Sequence, residues 1–280
     1  MTAIDIEEKR SETELGVELV ELGVELIIRR CASLEDFRQC VAVQQSVWGF
    51  EDRDLVPLRF FVVASKIEGQ IFGGFDPSGR MAGFCLAVPA LKNSAVYLHS
   101  HMLGVLPEFR RQGLGQRLKL EQRREALARG IGLIEWTFDP LELHNAHLNL
   151  ERLGAIARRF LPNHYGISSS PLHRGLPTDR LVAEWWLDSP QVAARVEGKP
   201  GLHSPPQRRI AVPIGVGGSG GEENNSAATI QTELRRQFQQ AFADGLVVTG
   251  FEFSKTAGTY LLGEWTEPRF SGPSTPAVGL

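Results

Sequence analysis

The sequence is short of cysteine, short of lysine, and has no long apolar run. Three cysteines occur in 280 residues. Cys31, Cys40 and Cys85 form no C-x-x-C pair and sit in apolar runs, which points to buried thiols in a reducing compartment and away from a disulfide frame or a zinc site. No apolar stretch approaches the ~20 residues that a membrane span needs. The N-terminus is acidic and lacks the charged-then-apolar pattern of a secretory signal, so the expectation is a cytoplasmic protein with no membrane partner. Basic charge is mostly arginine; the lysines are Lys9, Lys66, Lys92, Lys119, Lys199 and Lys255. The formal net charge of -3 gives no basic field, so nucleic acid is not an expected partner. No Gly-Lys-Ser/Thr follows the glycine-rich turns, which excludes a Walker phosphate loop.

What is present is concentrated in Tyr97 to Arg124. A β-branched and aromatic run, Val96 to Val105, is followed by Pro107, the pair Arg110 and Arg111, then Gly113 and Gly115. A helix-period segment comes next, with Leu114, Leu118 and Leu120 among Gln116, Arg117, Lys119, Glu121 and Arg123. A strand, a basic glycine turn and a helix start make an anion cradle. Free N–H groups and the dipole at the helix N-terminus favour phosphate, and glycine lets the backbone approach a ligand. Arginine adds planar, permanently charged donors suited to pyrophosphate. A dinucleotide-binding turn is the rival, since Glu135 lies about 20 residues on. Against it, Leu118 stands where the third glycine belongs, and the glycines come several residues after the strand ends.

Arg110-Arg111-Gln112-Gly113-Leu114-Gly115, preceded by Leu103-Gly104-Val105 and Pro107-Glu108-Phe109, resembles the R/Q-x-x-G-x-G/A signature of the GNAT superfamily of acyl-coenzyme A N-acyltransferases. The resemblance implies that the glycine turn, Arg110 to Gly115, holds the pyrophosphate of acetyl-CoA or another acyl-CoA co-substrate. It also implies that the backbone of Leu103 to Val105 pairs with the pantetheine arm like an added strand.

In chain order, Met1 to about residue 24 reads as an acidic, partly disordered tail; the echo Gly16-Val-Glu-Leu and Gly23-Val-Glu-Leu is too short for a repeat fold. Leu26 to Cys31 reads as a strand. Ser33 with Asp36 caps a helix toward Trp48, and a second helix begins near Pro57. Gln70 to Phe75 and Arg80 to Ala90 flank Asp76-Pro77-Ser78-Gly79 as a hairpin. Ile131 to Phe138 is a strand, Leu141 to Leu153 a helix ending at Gly154, and Ala155 to Phe160 and Leu181 to Leu187 two more strands. That order is similar to the GNAT order over about residues 25–189. The fold class implied is α/β (α+β), with a mixed, mostly antiparallel central sheet flanked by helices. Its fourth and fifth strands splay to admit the thioester. Residues 190–280 read as a small C-terminal α/β appendage: a flexible Gly-rich loop at 215–228, a helix from Thr229 to Ala243, and strands at Leu246–Phe253 and Thr259–Trp265.

Acyl transfer to an amine demands a base for the ammonium, donors for the developing oxyanion, and a proton for the departing thiolate. His99 and His101 lie two apart on the fourth strand and leave on one face. Histidine is mostly neutral and basic near pH 7. His99 is favoured as base and His101 as its relay; the alternative is a pair of hydrogen-bonded core histidines. His-x-His at this place is similar to the arylalkylamine N-acetyltransferases. The resemblance makes the Val105 N–H the oxyanion donor. It also puts Leu150 where many relatives carry the tyrosine that protonates the thiolate. Tyr165 is a candidate substitute acid, with packing in its loop as the alternative. Asn145 and Asn149 are candidate contacts to the pantetheine or thiol, or solvated helix polars.

Arg174 and Arg180, before the last strand of the core, suit an acceptor or acyl group bearing a carboxylate; Arg180 paired to Asp179 on the surface is the other reading. Trp136, Trp185 and Trp186 read as core. His99 and His101, or His144 and His147, lack a third ligand, so no metal is expected. The acceptor expected is a small amine or an amino acid, with succinyl-CoA an alternative donor. A silent acyl-CoA-binding module is the rival from another class. Homodimerisation is implied by the resemblance alone.

Overall fold

The computed structural model describes residues 25–166, 168–171, 175–201, 205–215 and 221–266. The tail at 1–24, the glycines of 216–220 and Arg174 lie outside the described residues. The elements run β1 (Ile27–Arg30), α1 (Leu34–Trp48), α2 (Leu58–Lys66), β2 (Gln70–Phe75), β3 (Met81–Lys92), β4 (Ala95–Val105), α3 (Leu114–Ala128), β5 (Leu133–Phe138), α4 (Leu143–Ala146), β6 (Ile156–Leu161), β7 (Arg180–Trp186), α5 (Pro190–Val196), β8 (Arg208–Pro213), α6 (Gly221–Ala243), β9 (Val247–Phe253) and β10 (Ala257–Gly263).

Local chemistry starts and stops these elements. The Ser33 hydroxyl accepts from the Asp36 amide, and the Asp36 carboxylate accepts from the Ser33 amide, both at 3.1 Å, a capping box at the head of α1. Arg29 on β1 clasps the same carboxylate at 2.7 Å, so one residue ties strand to helix. Gly49 ends α1 in the left-handed region, φ 58°. Gly79 (φ 85°) closes the β2–β3 hairpin, where Asp76 Oδ1 accepts from the amides of Ser78 and Arg80.

All ten strands join one sheet in the order β1-β2-β3-β4-β5-β7-β6-β9-β10-β8. Every pair is antiparallel except β4–β5, which is parallel and extends over two residue pairs only, Leu98↔Ile134 and His99↔Glu135. Beyond them β4 runs on to Val105 and β5 to Phe138 with no ladder between, so the fourth and fifth strands splay as expected. One apolar cluster fills the β2–β4 side with α1, α2 and the start of α3 (Phe37, Phe61, Phe84, Leu114, Leu118); the other fills the β5–β7 side and continues into the C-terminal strands (Trp136, Leu150, Trp185, Phe238, Tyr260). The three tryptophans are buried core, and the three cysteines are buried free thiols. No helix among the described residues is long and apolar enough to cross a membrane.

Two local expectations need correction, and two elements are additional to those expected. The helix expected over Leu141–Leu153 is α-helical only to Ala146 and continues as a π-helix, His147–Arg152. The Leu153 amide bonds to the Leu148 carbonyl, five residues back, and this wider turn keeps Leu150 and Leu153 in the core while Glu151 reaches the C-terminal segment. Helix α6 begins at Gly221, so the loop expected at 215–228 is shorter and the helix longer than its composition indicated. Strand β8 and helix α5 were not anticipated. β8 is an edge strand that hydrogen-bonds to β10 alone among the described strands.

The C-terminal segment meets the preceding sheet through one ladder pair, Ala157↔Val248. Side chains do the rest. Gln191 donates to the Gly154 and Thr249 carbonyls, Glu151 pairs with Arg195 and accepts from the Phe251 amide at 2.8 Å, and Arg235 grips Asp179 at 2.8 Å. The fully buried Tyr260 hydroxyl donates to the Pro140 carbonyl at 2.7 Å, holding the turn between β5 and α4. Tyr260→Phe leaves that carbonyl unpaired and is expected to cost about 1–3 kcal/mol in denaturant unfolding.

Candidate active site

The site is the wedge between β4 and β5. A β-bulge shapes its β4 wall. Ser100 pairs with Ala87 and Met102 with Leu86, so His101 is an extra residue with no partner on β3. A bulge shifts the alternation by one. Before it, Leu98 and Ser100 face α3; after it, Gly104 faces α1, where the Trp48 ring leaves no room for a Cβ (2.9 Å). Leu103 and Val105 turn to the α3 side, within 4.0 Å of the place where a Gly115 Cβ would sit. The inserted residue thus puts the two histidines on one side of the sheet and Leu103 and Val105 on the other.

The Leu106 amide donates to Ala82 on β3 at 2.9 Å. By alternation Gly104 also points to β3, while the amides of Leu103 and Val105 point away, into the wedge. On that edge the β4–β5 ladder has already ended, at His99↔Glu135. The Val105 carbonyl on that edge accepts from Arg110 Nε at 3.0 Å, so Arg110 sits at the mouth.

The glycine turn opens onto the same edge. Gly113 is the N-cap of α3 at φ 77°, with no side-chain cap, and nothing lies within 4 Å of where its Cβ would be. Arg111 is held at φ 61°, a conformation that side chains disfavour and that recurs at ligand-binding turns. Arg117 makes the first intrahelical bond, back to Gly113, so the amides ahead of it at the head of α3 lack intrahelical acceptors. Gln112 is bonded to the Glu108 carbonyl and braces the turn. Arg152, on the π-helix and not singled out in the sequence, reaches Gln116 in the first turn at 3.2 Å and adds positive charge. Leu114 is buried core and Leu148 faces Gly115. Asn145 is exposed and Asn149 buried on the helix alongside. Free amides, arginines and an uncluttered glycine edge fit a diphosphate with an extended amide-bearing arm.

On the opposite face His99 is half-buried and His101 reaches solvent, their rings 6.3 Å apart, and Phe60 of α2 lies 6.4 Å from His101. Burial, then the neighbouring His101, lowers the His99 pKa below its ordinary 6.5; Glu135 opposes this and Lys119 and His164 add to it. Burial likewise lowers His101. Both imidazoles are therefore neutral at pH 7 and able to accept a proton. Glu135, the register partner of His99, receives Lys92 at 2.7 Å and Arg159 at 2.8 Å. Burial works against its charge, but these two hydrogen bonds prevail and hold it ionised below the usual range.

Tyr165 is half-exposed with its hydroxyl 2.9 Å from Thr137 Oγ1, two residues beyond Glu135 on β5, on the histidine face. Arg180 is buried, bonded to Asp139 at 3.3 Å with its guanidinium 5.5 Å from the Tyr165 ring; Asp179, its expected partner, is held by Arg235. Arg180 is thus not a surface arginine at the pocket rim. Burial raises the Asp139 pKa, with Arg180 opposing. His144 and His147 pack on Phe253, and among the described residues no cluster of three metal-ligating side chains occurs. Leu150, at the place of the usual tyrosine, is fully buried.

A model of the acetyltransferase (GNAT) family matches residues 34–155, the stretch from the head of α1 through the wedge, the glycine turn and the π-helix. This stretch is a GNAT acetyltransferase domain. A domain of this family transfers an acyl group from an acyl-CoA co-substrate. No curated protein matches the chain. Among solved structures it is similar to the ribosomal-protein-S18-alanine N-acetyltransferase of Escherichia coli (17% identity, 59% of this chain and 96% of that one, TM-score 0.47). It is also similar to yncA of Salmonella typhimurium with its cofactor acetyl-CoA (15%, 59% and 95%, 0.47) and to a GNAT-family acetyltransferase of Streptococcus pneumoniae (18%, 57% and 98%, 0.46).

Gly115→Ala separates binding from folding. Alanine is the better helix former, by about 1 kcal/mol, and its methyl meets only ordinary contacts, so the melting temperature is expected to hold or rise. The methyl stands between Leu103 and Leu148 in the cradle, so coenzyme A affinity in calorimetry is expected to fall about tenfold or more.

Proposed function

We propose that the GNAT unit, residues 25–189, moves an acetyl group from acetyl-CoA directly to the amine of a small molecule or an amino acid, with no covalent enzyme intermediate. The observation that carries the reading is the neutral, half-buried His99 at the root of the wedge, on the face opposite the coenzyme cradle. An amine entering on the histidine face loses its proton to His99, directly or through His101, and meets the acyl carbon in the gap. The free Val105 and Leu103 amides are the donors for charge developing on the carbonyl oxygen. Tyr165 and Phe60 border the acceptor side. The tyrosine hydroxyl lies on the histidine face, which suits contact with the acceptor better than delivery of a proton to sulfur. Arg180 acts from behind Tyr165, setting its ring, and Tyr260 and Arg235 brace the turn before α4 and the loop that carries Tyr165. Succinyl-CoA is the alternative donor.

The E. coli neighbour is a ribosomal-protein alanine N-acetyltransferase, so the acceptor needs a direct test. Thiol release measured across small amines, amino acids and peptide N-termini, each with acetyl- and succinyl-CoA, is expected to show turnover with small acceptors; turnover with peptides alone overturns the small-acceptor reading. His99→Ala is expected to lower kcat about 100-fold. Protonated imidazole accepts no proton, so wild-type kcat is expected to fall as pH drops through a value below 6.5, and the variant is expected to lose that limb. An unchanged profile removes His99 as base.

A further inference from the structure

The wedge contains a second proton-carrying group, on the coenzyme face. Lys119 lies on α3 one turn beyond Gly115, about 6 Å along the helix axis, so the two share a face. Its side chain is 2% exposed, yet it ends in an amine. Nζ donates to Ser100 Oγ at 2.7 Å and stands 3.8 Å from the centroid of the Trp136 ring. Ser100 on β4 and Trp136 on β5 each follow directly on the last hydrogen-bonded pair, His99↔Glu135. Lys119 therefore spans the first open rung of the splay, where the strands begin to part.

Structural need does not explain it. A lone buried ammonium is unfavourable, and among the described residues no carboxylate pairs with Lys119. The groups facing it are Cys85 on β3, Ser100 on β4, Gln122 on α3 and Trp136 on β5, with His99 on the far side of the sheet. The ammonium has three N–H groups; Ser100 takes one and the indole face accommodates another, leaving a donor for the wedge. Of the two residues considered for the thiolate's acid, Leu150 has no proton to give and Tyr165 stands on the other face.

We propose that Lys119 is the catalytic acid of this acyl transfer, protonating the sulfur as it leaves. The inference rests on the acetyl-CoA reading above. As the acceptor nitrogen bonds to the acyl carbon, the carbon–sulfur bond breaks and its electron pair stays on sulfur. Lys119 gives that sulfur a proton, and His99, across the sheet, takes one from the nitrogen. The products are amide and free thiol, and solvent exchange returns a proton from His99 to the Lys119 amine. Burial pushes the Lys119 ammonium down to about 7, where it holds a proton near neutrality and releases it readily.

The test compares wild type with Lys119→Met for kcat against pH, for coenzyme A affinity and for thermal unfolding. Wild-type kcat is expected to fall as pH rises past about 7. In Lys119→Met kcat is expected to drop about 100-fold, with that descending limb gone and coenzyme A affinity within a few-fold of wild type. The folded state disfavours the charged lysine that the unfolded chain carries below about pH 10. Lys119→Met is therefore expected to melt higher than wild type at pH 6, by a margin that shrinks toward pH 10. A purely structural brace predicts the reverse, a lower melting temperature with kcat and its pH profile preserved, and that result overturns the proposal. Should Lys119→Met not fold, Ser100→Ala removes the ammonium's acceptor and is expected to move the descending limb to lower pH; an unmoved limb overturns the proposal. A wild-type enzyme that releases no thiol from any acyl-CoA refutes the acyltransferase reading itself, a failure distinct from an active enzyme indifferent to Lys119.

Discussion

The molecule depends on a ladder that stops. Strands β4 and β5 exchange hydrogen bonds over two residue pairs and then diverge, although both run on for several residues. Unpaired backbone groups inside a protein are costly, so a sheet opens in its middle only where surrounding structure holds the edges apart. Here α3 and the π-helix wedge in from one side, and the Tyr165 loop, hung on Thr137, holds β5 on the other. The amides left over on β4 face the opening, and the glycine turn at the head of α3 lies at its open end.

Features written in short-range chemistry were legible. Ser33 with Asp36, the Asp76–Gly79 turn, the arginine-glycine turn and the placing of His99 and His101 on one face each follow from a few adjacent residues. What escaped was set by partners distant in sequence. The bulge at His101 exists because Leu86 and Ala87 on β3 skip a residue, and nothing in Ser100-His101-Met102 announces it. The π-helix pattern is amphipathic at the ordinary period, and its wider turn is imposed by the pull of Phe251 and Arg195 on Glu151. Lys119 sits among Arg117, Glu121 and Arg123 and reads as one more solvated helix position, because lysine is almost never fully buried. Arg180 was placed with its sequence neighbour Asp179, but Arg235 from the far end of the chain takes that carboxylate.

Charge in this protein is sorted by face. The acceptor face carries Glu135 with Lys92 and Arg159, a paired network that keeps its carboxylate ionised beside neutral His99. The α3 face carries arginines at the mouth and, at the root, one lysine with no carboxylate partner among the described residues. Because the sheet separates these fields, donors and acceptors of protons occupy opposite sides of the opening without neutralising each other.

The join between β6 and β9 has a consequence of its own. A single rung, Ala157↔Val248, links the last three strands to the other seven, and the rest of the attachment is made by side chains: the shared apolar cluster, with Phe160 stacked on Phe238, and the polar contacts of Gln191, Glu151, Arg235 and Tyr260. Disturbance at the far end of the molecule therefore has no continuous backbone route across the sheet. It must pass through side-chain packing, and the polar contacts there land on the turn before α4, on the π-helix and the turn that ends it, and on the loop before β7.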